Sequence, residues 1–302
     1  MTESVRDAVP GAPAELALGT TPGTPAESVG FSCGEEGGRL TYGGYLRLTE
    51  LLGQQVTISS PPLHDEMMFI VVHQTYELWF KVLLHELTAA RDAMLAGLGG
   101  ASQRPGHGQE RRVWLARQLL RRVHVIERVL ISQIDVLETM TPQDFVELRT
   151  SFGSASGFQS VQFRELEFLS GAKDPGFVRR IRSLTDDERT RLAARLNEPT
   201  LWDAYVDLLA SRGLPVGSQQ EILATLVMVA RDRPQYDELW QLAEDLLTHD
   251  ELAGLWRSRH VQMVERQIGT KSGTGGSTGV RYLNSRVPTR YYPLLWELRD
   301  WL

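Results

Sequence analysis

Two histidines stand where an apolar helix face would otherwise carry an aliphatic residue. His73 falls one turn after Phe69 and one turn before Tyr76 and Glu77. His260 sits in the middle of Leu252, Trp256, His260, Val264 and Ile268, each four residues from the next. A four-residue step keeps side chains on one face of a helix, so both imidazoles are expected to point inward. An inward imidazole on an apolar face has two uses. It is an axial ligand to a haem iron, or it is a buried structural histidine satisfied by a neighbour. The two residues are far apart in sequence, so spacing alone leaves both readings open.

Arg149 closes the run TPQDFVEL and precedes the turn SFGSASG. A guanidinium there can grip a carboxylate with two N–H groups or simply cap its helix. The loop SGTGGSTG offers several backbone N–H groups and the Thr274 hydroxyl, suited to a zwitterion or anion, and it also fits a flexible linker. Tyr42, Tyr45 and Leu46 are either a core stripe or the aromatic wall of a pocket. Other chemistries are excluded. No Glu-x-x-His or His-Glu-x-x-His pattern is present, so neither a carboxylate-bridged metal pair nor a zinc protease site fits. Lys271 has no glycine before it and no strand precedes the loop, so it is not a P-loop. Cys33 is the single cysteine, which removes multi-cysteine zinc and iron–sulfur sites and internal disulfides.

The elements that must position these residues are helical. The run from His64 to about Leu98 reads as one long helix, with Phe69, Val72, His73, Tyr76, Phe80, Leu83, Leu84 and Leu87 along a stripe. Glu110 to Thr139 reads as a second, with Val113, Leu120, Val123, Ile126, Leu130, Ile134 and Leu137 inward. Thr141-Pro142 starts a short helix. FQSVQFRELEFL reads as another, Asp174 to Asp250 as shorter pieces broken at Pro175, Pro199, Pro215 and Pro234, and Glu251 to Ile268 as a further long helix. Strand-like alternation is almost absent, so the fold class is all-α, a multi-helix bundle. Residues 1–36 are rich in Pro, Gly, Ala, Thr and Ser and read as a disordered tail; residues 37–302 read as a single helical domain. The 302 residues carry 32 Lys and Arg against 38 Asp and Glu, a net charge of −6, which argues against a nucleic-acid partner. No apolar run is long enough to span a membrane. The start lacks the apolar core of a secretion signal, so the expected compartment is a reducing cytoplasm.

Five blocks resemble the tryptophan 2,3-dioxygenase family: RLTYGGYLRLTELL (39–52), HDEMMFIVVHQTYELWFKVLLHEL (64–87), LRTSFGSASGFQSVQFRELEFLSG (148–171), LWRSRHVQMVERQIGTKSGTGGSTGVRYL (255–283) and YYPLLWELRD (291–300). The resemblance implies an all-α haem b enzyme, usually a homotetramer, that uses O₂ to open the indole C2–C3 bond of L-tryptophan and form N-formylkynurenine. It implies His260 as the axial haem ligand, with Ser156 and Gly157 in the turn over the cofactor pocket. It implies His73 as the distal histidine beside the indole N–H and Phe69 as the ring packed on the indole. Arg149 matches the residue on the substrate carboxylate, and Thr274 the one at the amino-acid end. Tyr42, Tyr45 and Leu46 match a segment that reaches a neighbouring subunit's site.

Phe145 departs from the family pattern. Many members carry a tyrosine there, and a lost hydrogen bond to a charged group costs about 1.5–3 kcal/mol if nothing replaces it. Two alternatives follow. The same fold and haem could act on a substituted tryptophan such as a β-methyl derivative, inserting one oxygen atom. A protein of another class, a haem-binding sensor or carrier, would use the pocket without turnover, although a gas sensor has no need of an amino-acid clamp. A plain helical scaffold with structural histidines would bind no haem.

Overall fold

The computed structural model describes residues 41–96, 107–181, 183–274 and 276–302. The expected tail, residues 1–36 with Cys33, lies outside them. The chain divides into two compact units, Met1–Gln54 and Gln55–Leu302.

The described part of the first unit is a pair of short helices, α1 (Tyr42–Leu46) and α2 (Leu48–Leu52). The Thr41 hydroxyl caps α1 by accepting from the Gly44 amide at 3.1 Å. The i, i+3, i+4 spacing of this segment does not yield one continuous helix. Arg47 adopts a left-handed conformation at φ 52°, which ends α1 and starts α2. Tyr42, Tyr45, Leu46 and Leu52 are exposed.

Three long helices frame the second unit. They are α3 (Asp65–Leu95), α4 (His107–Leu137) and α11 (Arg233–Ile268), with α4 packed against both of the others. Val72, Tyr76, Phe80, Leu83, Leu84 and Leu87 of α3 are buried, as are the seven inward positions expected of α4. Between and around them run α5 (Pro142–Arg149), α6 (Val161–Ser170), α9 (Leu201–Ser211) and α10 (Gln219–Arg231). Then α7 (Pro175–Arg180) and α8 (Asp186–Asn197) enclose a small separate core around Phe168, Phe177 and Leu192. The chain ends through α12 (Val280–Arg286), α13 (Pro293–Glu297) and a 3₁₀ turn. Local chemistry sets most starts. Thr141, Ser160, Asp174, Thr185, Thr200 and Ser218 each accept a first-turn amide, and Pro142, Pro175, Pro234 and Pro293 occupy opening positions. No strand occurs among the described residues.

Two boundaries differ from the sequence reading. Helix α6 starts at Val161, because Ser156 and Gln159 form a capping box that winds Gly157–Gln159 into a 3₁₀ turn. Helix α11 starts at Arg233 rather than Glu251, with a kink at Tyr236 and no break at the polar run Thr248-His249-Asp250. That run turns inward and finds partners. His249 Nδ1 lies 2.7 Å from Glu127 Oε1, and His249 Nε2 lies 2.9 Å from the Ser170 hydroxyl. Asp250 accepts from the Tyr292 amide and the Trp296 indole N–H at 3.1 and 2.9 Å. Buried polar groups satisfied in this way need not end a helix.

Candidate functional site

Within the second unit a cavity of about 340 Å³ opens between α3, α5 and α11. Its lining includes Phe69, His73, Phe145, Arg149, Ser156, Gly157, His260 and Thr274. Eight of the eleven residues singled out from the sequence therefore meet at one place. The other three, Tyr42, Tyr45 and Leu46, belong to the first unit, on the exposed α1.

The two imidazoles approach from different helices. His73 Nδ1 lies 2.7 Å from the Phe69 carbonyl one turn earlier. A carbonyl only accepts, so Nδ1 carries the proton, and in the neutral ring Nε2 is left with its lone pair. Enclosure by protein pushes the His73 pKa below its ordinary value, against the upward pull of the Phe69 carbonyl and Glu77. On α11, the Trp256 indole lies parallel to the His260 ring, 5.2 Å away and tilted by 4°. Burial, with a smaller contribution from His73, lowers the His260 pKa to about 4. Neither His260 nitrogen has a hydrogen-bond partner among the described residues. At neutral pH the cavity thus holds two uncharged imidazoles with lone pairs to offer.

The polar end is built by two long-range contacts. Arg149, in the last turn of α5, donates from Nη2 to the Ser272 carbonyl at 2.7 Å. Thr274 donates from its hydroxyl to the Ala155 carbonyl at 2.7 Å. The glycine loop is therefore stitched to the turn after α5 by the two side chains suspected of amino-acid binding. Only glycine serves at Gly279, where φ is 60° and a Cβ would stand 2.3 Å from the Lys271 carbonyl. The Ser156 hydroxyl accepts from the Phe158 amide at 3.3 Å and shapes the turn at Gly157.

Sequence reasoning missed two aromatic residues here. Phe152 stacks on Phe69 with centroids 4.6 Å apart, and Trp256 was placed on the inward stripe without a role. Trp256 was findable, being one turn before His260. Phe152 was not, because a Gly/Ser turn has no periodicity to read.

The residues fit a haem. Among the described residues no group of three or more His, Cys, Asp or Glu could hold a bare metal ion, so an iron here would have to arrive in its own ligand frame. His260, with no hydrogen-bond partner at either nitrogen among the described residues, can supply the one lone pair such a centre needs. Arg164, Arg257 and Arg286 line the cavity, and each leaves at least one buried guanidinium nitrogen without a partner, as the carboxylates of a porphyrin would require.

Fold and site together define an all-α ligand-binding protein whose apolar cavity lies between neutral imidazoles and ends in cations. The family model described as tryptophan 2,3-dioxygenase matches residues 28–215 and 210–302, and the chain belongs to that family. A tryptophan 2,3-dioxygenase of a Nocardioides species is 60% identical over 269 residues, covering 89% of this chain and 97% of that relative. The Herpetosiphon aurantiacus protein of the same name is 41% identical over 273 residues, covering 86% and 97%. That of Serratia proteamaculans is 38% identical over 274 residues, covering 86% and 92%. No helix among the described residues is long and apolar enough to cross a membrane.

Proposed function

We propose that this chain is a haem-dependent dioxygenase that inserts both atoms of O₂ across the indole C2–C3 bond of L-tryptophan to give N-formylkynurenine. The observation that carries the reading is the meeting of His73 and His260 at one cavity that ends at Arg149 and Thr274. Haem b, when bound, supplies the iron that takes up and activates O₂. His260 would hold the haem iron, and its low pKa keeps the lone pair free for that bond. Ser156 and Gly157 shape the turn against the cofactor. His73, with its proton held on Nδ1 by the Phe69 carbonyl, accepts the indole N–H at Nε2 and sets the register of the ring. Phe69 gives the indole an apolar face. Arg149 pairs with the carboxylate and Thr274 holds the amino-acid end, so binding energy at the polar groups orients the distant ring. Phenylalanine at position 145 leaves the carboxylate to Arg149 without a phenol's help.

The same reading makes the protein a homotetramer in which Tyr42, Tyr45 and Leu46 cover a neighbouring subunit's site. Its support is the exposure of all three side chains, 77%, 69% and 40%. The single cysteine fits a cytoplasmic protein. The test is to reduce the haem-loaded protein without air, add L-tryptophan and then isotopically labelled O₂, and weigh the product. Two labelled atoms in a ring-opened product are expected. One labelled atom in an intact indole framework, or no product, would overturn the reading.

A further inference from the structure

Phe69 has a second ring partner besides His73. The His73 centroid is 4.0 Å from that of Phe69 and the Phe152 centroid is 4.6 Å from it, with the Phe69 and Phe152 planes 25° apart. His73 and Phe152 are thus both within ring-contact distance of Phe69. Phe145 stands further off, at 6.2 Å. The two close partners are held differently. His73 is fixed to Phe69 by their shared turn of α3 and by the bond from Nδ1 to the Phe69 carbonyl. Phe152 is partly buried and sits in the turn after α5, next to Gly153 at φ 57°. Its amide donates to the Arg149 carbonyl at 3.3 Å and its carbonyl accepts from the Ala155 amide at 3.0 Å. The end of α5 and the turn that follows it thus carry the cation at the polar end and a ring at the aromatic wall.

We propose that Phe152 is the specificity-determining residue for the aromatic side chain of the substrate: an incoming ring takes over its contact with Phe69, and the bulk of Phe152 limits how large that ring can be. The inference rests on the proposed function. Phe69, Phe145 and Phe152 offer hydrocarbon alone, so substituents on the ring are sorted by size and not by hydrogen bonding. An apolar pocket distinguishes one added methyl group by roughly 10- to 200-fold. Arg149 anchors the other end three residues earlier, at the end of α5, so a larger ring cannot slide away from Phe152 without releasing the carboxylate grip.

The experiment uses the ferrous haem-loaded protein under anaerobic conditions. L-Tryptophan, 5-methyl-L-tryptophan and 6-methyl-L-tryptophan are titrated by absorbance or calorimetry against the wild type, Phe152→Leu and Phe152→Ala. The wild type is expected to bind tryptophan about tenfold or more tightly than the worse methyl analogue. That ratio should fall about tenfold in Phe152→Ala and part of the way in Phe152→Leu, with the haem spectrum unchanged. An unchanged ratio in variants that keep the wild-type spectrum overturns the inference. If Phe152→Ala does not hold haem, Phe152→Leu decides by the same criterion. A wild type that binds no tryptophan refutes the parent reading, and the inference with it. Tight tryptophan binding with an unchanged ratio removes Phe152 alone.

Discussion

Replacing Arg149 with alanine separates two roles that the structure assigns to one side chain. The guanidinium has five N–H donors, and one is committed to the Ser272 carbonyl at 2.7 Å. The rest are available to a substrate carboxylate. A hydrogen bond to a charged group contributes about 1.5–3 kcal/mol, and one to a neutral carbonyl about 0.5–1.5 kcal/mol. If substrate leaves the Ser272 bond in place, Arg149→Ala costs the full charged bond. If substrate must displace that bond, the cost falls to about 1 kcal/mol. The expected loss in kcat/KM for tryptophan is therefore roughly 5- to 150-fold. Steady-state kinetics with tryptophan and with tryptamine, which lacks the carboxylate, makes the test specific. Tryptamine should lose only what the Ser272 bond contributes, so the preference for tryptophan should shrink by the factor that the carboxylate contact supplies. Equal losses for both compounds, with the haem spectrum intact, would show that Arg149 acts only by fastening the loop, and would refute a carboxylate contact.

Thr274→Val removes the bond to the Ala155 carbonyl and should raise KM for tryptophan about two- to tenfold, while Thr274→Ser restores it; a wild-type KM in the valine variant would count against the contact. His260→Ala should abolish stable haem binding as read by the absorbance spectrum, whereas His73→Ala should keep the spectrum and lose activity; the reverse outcome would exchange their roles. His124 gives a stability prediction. Its Nε2 lies 2.8 Å from the Asp245 carbonyl, and burial pushes its pKa from 6.5 down to about 4. The folded protein then binds fewer protons than the unfolded chain below pH 6.5. Stability present above pH 6.5 should therefore drain away towards pH 4, by roughly 3 kcal/mol from this residue. Denaturant titrations of wild type and His124→Gln at pH 7 and pH 4.5 should show a smaller pH loss in the variant; parallel losses would contradict the prediction.

Where a feature repeats along one helix, the sequence displayed it. The stripe through Phe69, His73, Tyr76 and Phe80 placed α3 within a few residues of its ends, and Thr141-Pro142 marked the start of α5. His260 was legible as an inward residue for the same reason. What pairs distant segments was not legible. Arg149 meets Ser272 across 123 positions and Thr274 meets Ala155 across 119, and no periodicity encodes either meeting. The start of α11 was misplaced at Glu251, because only the distant partners Glu127, Ser170 and Trp296 show that the polar His249 and Asp250 belong inside the helix.

The continuity of α11 from Arg233 to Ile268 restricts how the length of this chain can vary. Each residue of an α-helix adds about 1.5 Å of rise and about 100° of rotation. Asp250 is clamped to the C-terminal segment through Tyr292 and Trp296, and His260 lies ten positions further along the same rod. Inserting or deleting one residue between them would swing the imidazole out of the cavity while leaving composition and helix propensity almost unchanged.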